Sequence, residues 1–111
     1  MKRGQTGNAA FETLEGARSR VMGSLEFATV TRLLPLGSAA IAGGRADVID
    51  LSGVTGSDSS GLALLIEWLS IAKQAGRKLR YENMSAQLHQ LAGLSEVDDL
   101  LSAAAAPAGV V

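Results

Sequence analysis

One stretch of the chain limits its possible folds more than any other, because it joins a strand-like segment to a helix-like segment through a short polar turn. Residues 46–51 alternate in the manner of a buried strand. Residues 62–75 repeat apolar side chains every three or four positions, which predicts an amphipathic helix. Asp58 lies just before this helix and is a favoured N-cap residue, because its carboxylate can accept a hydrogen bond from a backbone N–H of the first turn. The stretch therefore predicts a strand, an exposed turn and a capped helix in direct succession.

The N-terminal half predicts a hairpin followed by a helix. Phe11–Leu14 and Arg18–Met22 are short strand candidates separated by Glu-Gly-Ala, as in a β-hairpin. Residues 27–41 carry apolar side chains at helical spacing. Pro35 lacks an N–H and clashes with the preceding turn, so we expect this helix to bend or restart just before it. The glycine pair at 43–44 should end the helix.

The C-terminal half predicts one more strand and short helices. Lys78–Glu82 alternates with its charged residues on an uncovered face. Residues 83–92 predict a short helix with Gly93 as its stop, and Ser95 should begin a further helical turn. Because strands alternate with helices along the chain, the sheet should be mostly parallel and joined by right-handed crossovers.

Length and composition fit one packed domain. The chain has 111 residues, of which 47% are hydrophobic and 19% charged, so it can bury a core without disulfides or metals. We place a single domain at residues 11–102. Residues 1–10 and 103–111 carry no periodic pattern that could bury them, so we expect flexible tails there.

The composition also excludes several classes of function. The absence of cysteine removes disulfides and thiol catalysis, and one histidine cannot build a zinc site, so we expect no metal and no cofactor. The chain has ten basic and eleven acidic residues, so it lacks the excess of positive charge that is typical of nucleic-acid-binding proteins. The longest apolar run, Leu62–Ile66, is far short of the ~20 residues that span a bilayer. We therefore expect a cytoplasmic protein that binds no nucleic acid and does not insert into the membrane.

The turn before the predicted helix has two interpretations. Ser59 and Ser60 should lie in the first helical turn, where unpaired N–H groups and the helix dipole stabilise a phosphate or an acidic group from a partner. The same Asp-Ser-Ser-Gly sequence is also a good capping sequence for purely local reasons. Spacing alone does not decide between them.

Catalytic and nucleotide-binding interpretations of this turn are weaker. A nucleophilic Ser59 would need a base and an orienting acid, and His89, the single histidine, is predicted on the solvent side of a short helix. Residues 56–61 have the glycine spacing of a phosphate-binding loop, but Leu62 occupies the position of the required lysine. We therefore predict no enzyme and no catalytic residue, although weak nucleotide binding at the helix start stays open.

The predicted helix has more apolar surface than one core contact requires. Its two apolar stripes together span about 220°, against the ~100° that a helix typically buries. Trp68 lies on the second stripe and is the best candidate for an outer contact, because tryptophan is enriched at binding hot spots. The predicted partner-binding residues are Thr55, Ser57, Asp58, Ser59, Ser60, Gly61, Leu62 and Trp68.

Several motifs resemble the STAS domain family. They are Ile-Asp-Leu-Ser at 49–52, Asp-Ser-Ser-Gly-Leu at 58–62, Gly-Arg-Lys-Leu at 76–79, Leu-Ala-Gly-Leu at 91–94 and Val-Asp-Asp-Leu-Leu at 97–101. The family comprises anti-sigma factor antagonists, cytoplasmic tails of sulfate transporters and MlaB-type subunits of bacterial phospholipid ABC transporters. The resemblance implies an α/β fold with a central mixed, mostly parallel sheet of four to five strands and about four helices packed mainly on one face.

The resemblance also implies a function. The segments 62–69, 83–88 and 91–95 look most like MlaB-type subunits, which implies a non-enzymatic interaction subunit that binds and regulates the ABC-transporter ATPase at the inner membrane. Ser59 matches the family's switch hydroxyl. The alternative is an anti-sigma factor antagonist in which a partner kinase phosphorylates Ser59, and both interpretations stay open.

Overall fold

The computed structural model describes residues 9–94, which form one four-stranded mixed sheet with three helices. The elements are β1 (Ala10–Thr13), β2 (Arg18–Leu25), α1 (Phe27–Ala42), β3 (Val48–Ser57), α2 (Ser59–Gln74), β4 (Arg80–Glu82) and α3 (Ala86–Leu94). The strand order is β1-β2-β3-β4; β1 runs antiparallel to β2, whereas β2, β3 and β4 are parallel. The predicted α/β class with a mostly parallel sheet is confirmed. The further helical turn predicted at Ser95 lies outside the described residues.

The predicted hairpin is present, and its turn has a left-handed backbone. Gly16 and Ala17 have φ angles of 72° and 59°, which lets β1 fold back on β2. Ala10 pairs with Met22, and Ala9 is buried in the core. The sheet therefore begins one residue before the predicted domain boundary at residue 11.

Helix α1 runs through Pro35 without a break, so the predicted restart does not occur. Proline only removes the bond to the carbonyl of Thr31, while buried Leu33 and Ile41 hold the helix on the core to either side of it. The helix begins at a capping box in which the Glu26 N–H donates to Thr29 Oγ1 at 2.9 Å.

Strand β3 is longer than the sequence indicated, because it continues to Ser57 instead of ending at residue 51. Its pairing with β2 reaches Leu25 opposite Ser57, with two register irregularities on the way. Gly53 permits this path, because a Cβ there would lie 2.8 Å from Met22 Cγ. Residues 52–57, most of the predicted polar turn between strand and helix, are therefore strand.

Helix α3 also differs from its prediction at one end. Leu88 N–H donates to Ser85 Oγ at 3.1 Å, which supports the start of the helix. The helix then continues through Gly93 to Leu94, so Gly93 does not end it. Leu88 and Ala92 are buried, which fixes α3 against the core.

The core lies between one face of the sheet and the helices. Its largest fully buried side chains include Leu33, Ile41, Ile49, Trp68 and Tyr81. The Tyr81 hydroxyl donates to the Leu65 carbonyl at 2.7 Å, and burial raises the pKa of Tyr81 well above its usual value.

The opposite face of the sheet carries charged side chains that pair across strands. Arg18 contacts Glu82 at 2.6 Å and Arg20 contacts Glu12 at 2.8 Å. The hydrogen bond from Arg18 lowers the pKa of Glu82, and a hydrogen bond from Asn83 lowers the pKa of Asp50. These ion pairs and hydrogen bonds hold the charged face together, although the buried Arg80 Nε has no hydrogen-bond partner among the described residues.

Candidate functional site

A single residue, Asp58, separates β3 from α2. The Asp58 N–H donates to the carbonyl of Leu25 at 3.0 Å, which ties the junction to the end of β2. Its carboxylate Oδ1 accepts from the Ser60 N–H at 2.8 Å, so Asp58 is the N-cap of α2. No acidic residue follows in the first turn, and the positive end of the helix dipole therefore faces outward beside Ser59.

Ser57, the last residue of β3, is held by one side-chain acceptor and one backbone acceptor. Its N–H donates to Gln87 Oε1 of α3 at 3.0 Å, and its hydroxyl donates to the Asp58 carbonyl at 2.9 Å. A Cβ on Gly61 would lie 2.1 Å from Ser57 Oγ and 2.7 Å from Leu25 Cβ, so only glycine fits there. Gln87 could not be identified from local sequence, because its partner is thirty residues away.

The predicted partner-binding residues divide into an exposed set and a buried set. Thr55, Asp58 and Ser59 are exposed, while Ser57 and Ser60 are half-buried. Gly61 and Leu62 are buried and contribute to the core side of α2. The first turn of α2 packs both residues on its core side, and their contact with a partner stays a prediction. We call the exposed set, Thr55, Asp58 and Ser59, the α2 corner.

Trp68 is also buried, with 0% of its surface exposed, so the prediction that it makes an outer contact is wrong. Its indole Nε1 donates to the Leu34 carbonyl at 3.2 Å, and its ring meets Phe11 edge-on at a centroid distance of 5.6 Å. Gly37 makes the space, because a Cβ there would lie 2.2 Å from the indole ring. The second apolar stripe of α2 is covered here by α1 of the same domain.

An apolar groove of about 350 Å³ lies between α1 and α2, next to Ser60. Its lining residues are Phe27, Val30, Thr31, Leu34, Ser60, Ala63, Leu64 and Glu67. Phe27 is 72% exposed, the most of any large hydrophobic side chain among residues 9–92. We call this feature the α1–α2 groove; the helical spacing of Phe27 and Val30 was visible in the sequence, but the space between the helices was not.

Within residues 9–94 the structure shows no metal centre. His89 is exposed on α3. No group of three or more His, Asp or Glu side chains in residues 9–94 could hold a metal ion. None of the helices in this part of the chain has the length and apolarity needed to cross a bilayer.

The chain matches one family over most of its length. The family described as "Mlab, STAS domain" matches residues 12–102. No curated protein matches the chain.

Two solved structures are similar in fold. The anti-sigma factor antagonist SpoIIAA in its unphosphorylated form has a TM-score of 0.63 at 20% identity, covering 81% of this chain and 84% of that one. The Bacillus cell fate determinant SpoIIAA in the phosphorylated form has a TM-score of 0.62 at 18% identity, covering 82% of this chain and 86% of that one. At these identities the likeness concerns the fold alone.

The family match and the fold agree with each other. The resemblance implied a mixed sheet of four to five strands with about four helices; the described residues have four strands and three helices, so the helix count differs slightly while the fold class fits. The solved SpoIIAA structures are similar in fold. The chain therefore belongs to the STAS domain family, in the group described as "Mlab, STAS domain".

Proposed function

We propose that this STAS domain is a non-enzymatic interaction subunit that binds and regulates the ABC ATPase of a phospholipid transport system, on the cytoplasmic side of the inner membrane. The observation that carries the proposal is the α2 corner, where Ser59 is exposed at the positive end of a capped helix. The match to the MlaB group supports the choice of partner.

The α2 corner suits docking because its backbone is held rigidly while its side chains stay accessible. Three contacts fix the backbone: Asp58 to Leu25, Asp58 to Ser60 and Ser57 to Gln87. A surface that is already ordered loses little conformational entropy on binding, so more of the contact energy appears as affinity. An acidic side chain of the partner would be stabilised by the dipole of α2.

Binding of the purified ATPase subunit, measured by calorimetry, tests the proposal. We expect Ser59→Asp to weaken binding about tenfold or more, because it places a second carboxylate beside Asp58 inside the contact. Ser70→Asp, on an exposed position farther along α2, is the matched control and should bind as the wild type does. Wild-type affinity in both Ser59→Asp and Thr55→Arg would exclude the α2 corner as the docking site.

Regulation is tested separately by ATP turnover of the transporter complex. We expect the rate to depend on the presence of this chain and the dependence to weaken in Ser59→Asp. The isolated chain should show no ATP turnover, and turnover that disappears in Ser59→Ala would show an enzyme instead.

A second candidate function, a phosphorylation switch, is favoured by the exposed hydroxyl of Ser59 at the first position of α2. Phosphate there adds a charge of about −1.5 to −2 and is tolerated by the helix start, so it would act by repelling a partner and not by unfolding the domain. Incubation with the candidate partner kinase followed by mass spectrometry tests it, with Ser59→Ala as the control. An unmodified Ser59 together with tight ATPase binding would favour the transporter function.

A further inference from the structure

The residues that line the α1–α2 groove repeat with one helical period on both helices. On α1 they are Phe27, Val30, Thr31 and Leu34, and on α2 they are Ser60, Ala63, Leu64 and Glu67. Each set has the spacing i, i+3, i+4, i+7, which places it in one straight row along its helix. Two such rows side by side form the kind of surface into which the side chains of a third helix pack.

The two rows run in the same direction. Helix α1 connects β2 to β3 and α2 connects β3 to β4, and these three strands are parallel, so both helices return antiparallel to the sheet. Phe27 and Ser60 therefore mark one end of the groove and Leu34 and Glu67 the other. The first end lies at two helix N-termini, where the dipoles are positive, and the second end carries a carboxylate.

We propose that the α1–α2 groove binds one amphipathic helix of the ATPase, with its apolar side chains between the two rows and a lysine or arginine opposite Glu67. This inference rests on the proposed function and names the part of the partner that occupies the groove. The polarity of the groove also sets the direction of the bound helix. The negative C-terminal end of that helix lies near Phe27 and Ser60, antiparallel to α1 and α2.

Other occupants fit the observations less well. The volume of about 350 Å³ is at the lower end of the range for ligand pockets, which favours a partner that fills the groove with only a few side chains. An extended peptide that binds by strand addition needs an unpaired strand edge, whereas both walls of the groove are helices whose backbones bond internally. The lining contains no lysine or arginine, so a symmetric contact between the grooves of two copies would place no counter-charge opposite Glu67.

Site-specific crosslinking to the purified ATPase subunit tests the proposal. The chain has no cysteine, so Ala63→Cys provides a single attachment point for a benzophenone probe inside the groove. Lys73→Cys, on the last turn of α2 and outside the groove, is the control. We expect the probe at position 63 to capture one ATPase helix at residues spaced three or four apart, and the probe at position 73 to capture little.

Substitutions on α1 provide a second, independent measurement. We expect Phe27→Ser to weaken ATPase binding about tenfold or more, because a large exposed aromatic side chain that a partner buries is a typical hot spot. Leu36→Ser removes another exposed hydrophobic side chain of α1, one that does not line the groove, and should change binding less than about twofold. Glu67→Gln should weaken binding less than Phe27→Ser and should reduce its salt dependence.

The outcomes separate this proposal from the proposed function. If the ATPase binds while position 63 captures a loop, a strand, a lipid or a second copy of this chain, the groove proposal fails and the proposed function stands. If Phe27→Ser binds as tightly as Leu36→Ser, the groove proposal also fails alone. If the wild-type chain does not bind the ATPase at all, both fail.

Discussion

The two ends of the α1–α2 helix pair differ although their sequences carry the same kind of apolar pattern. Where Gly37 meets Trp68, the indole fills the space left by the missing side chain and donates to the Leu34 carbonyl at 3.2 Å. Where Phe27 faces Ser60, no side chain fills the space, and the α1–α2 groove remains. We call these the closed end and the open end of the pair.

The difference shows that size complementarity, and not hydrophobicity, decides which apolar residues are buried. Glycine opposite tryptophan brings the helices together at the closed end, so packing is dense there. Phenylalanine opposite serine and alanine leaves a gap at the open end, and Phe27 stays 72% exposed. The closed end should therefore contribute to stability and the open end to binding.

Matched aromatic truncations are the strongest test of this comparison. Trp68→Ala should lower the free energy of unfolding by about 3–5 kcal/mol, because it empties a fully buried site and leaves a cavity. Phe27→Ala should change it by less than about 0.5 kcal/mol, because the ring is mostly in water already. Urea unfolding measures both, and similar losses in the two variants would contradict the distinction between the ends.

Glycine substitutions test how rigidly the first turn of α2, at the open end of the pair, is packed against Leu25 and Ser57. Gly61→Ala should cost about 1–3 kcal/mol, because its Cβ would lie 2.7 Å from Leu25 Cβ and 2.1 Å from Ser57 Oγ. Gly56→Ala is the control, since its nearest neighbour beyond the adjacent residues, Ser24 Oγ, would be 4.0 Å away. A Gly61→Ala protein as stable as Gly56→Ala would show that the junction adjusts freely.

A third change tests whether the hydrogen bond from Ser57 to Gln87 of α3 stabilises the junction before α2. Gln87→Ala removes the acceptor of the Ser57 N–H and should cost about 0.5–1.5 kcal/mol, the usual net value of one hydrogen bond. The Ser57 amide should also exchange its hydrogen faster, which NMR measures. Gln90→Ala, at an exposed position of the same helix, should change neither quantity.

The smallest expected effect comes from acid and concerns the far face of the sheet. The folded-state pKa of Glu82 is lowered by its hydrogen bond from Arg18, so this pair stabilises the fold above the usual carboxyl value of 4.5 and the contribution is lost as the pH falls below it. The pair is partly exposed, so the loss should be small. Urea midpoints measured from pH 7 to pH 3 should fall less in Glu82→Gln than in the wild type; equal slopes would show that the pair contributes nothing.

The elements with strong local signals could be predicted from the sequence. The hairpin, the end of α1 at the glycine pair and the N-cap at Asp58 depend on turn and cap chemistry within a few residues. The helix was predicted to bend or restart just before Pro35; it does not restart, because packing on both sides of the proline outweighs one missing hydrogen bond. The length of β3 was underestimated, because strand β2 continues beside it and pairs with residues that look like a loop.

The candidate site was only partly predictable, because part of it depends on contacts between segments that are distant in the sequence. The exposed Ser59 beside its cap follows from local sequence, whereas the burial of Leu62 and Trp68 depends on what α1 and the sheet place against them. Gln87 is outside the reach of local reasoning, because its contact to Ser57 joins two distant segments.

The sequence by itself determined the order of strands and helices, the capped start of α2 and the family, since these depend on periodicity and on short motifs. Only the tertiary structure decided which apolar side chains of α1 and α2 are buried and which line a groove. The physical reason is that burial depends on the size of the facing residue, and Gly37 and Phe27 acquire their opposite roles only when α2 is placed against them.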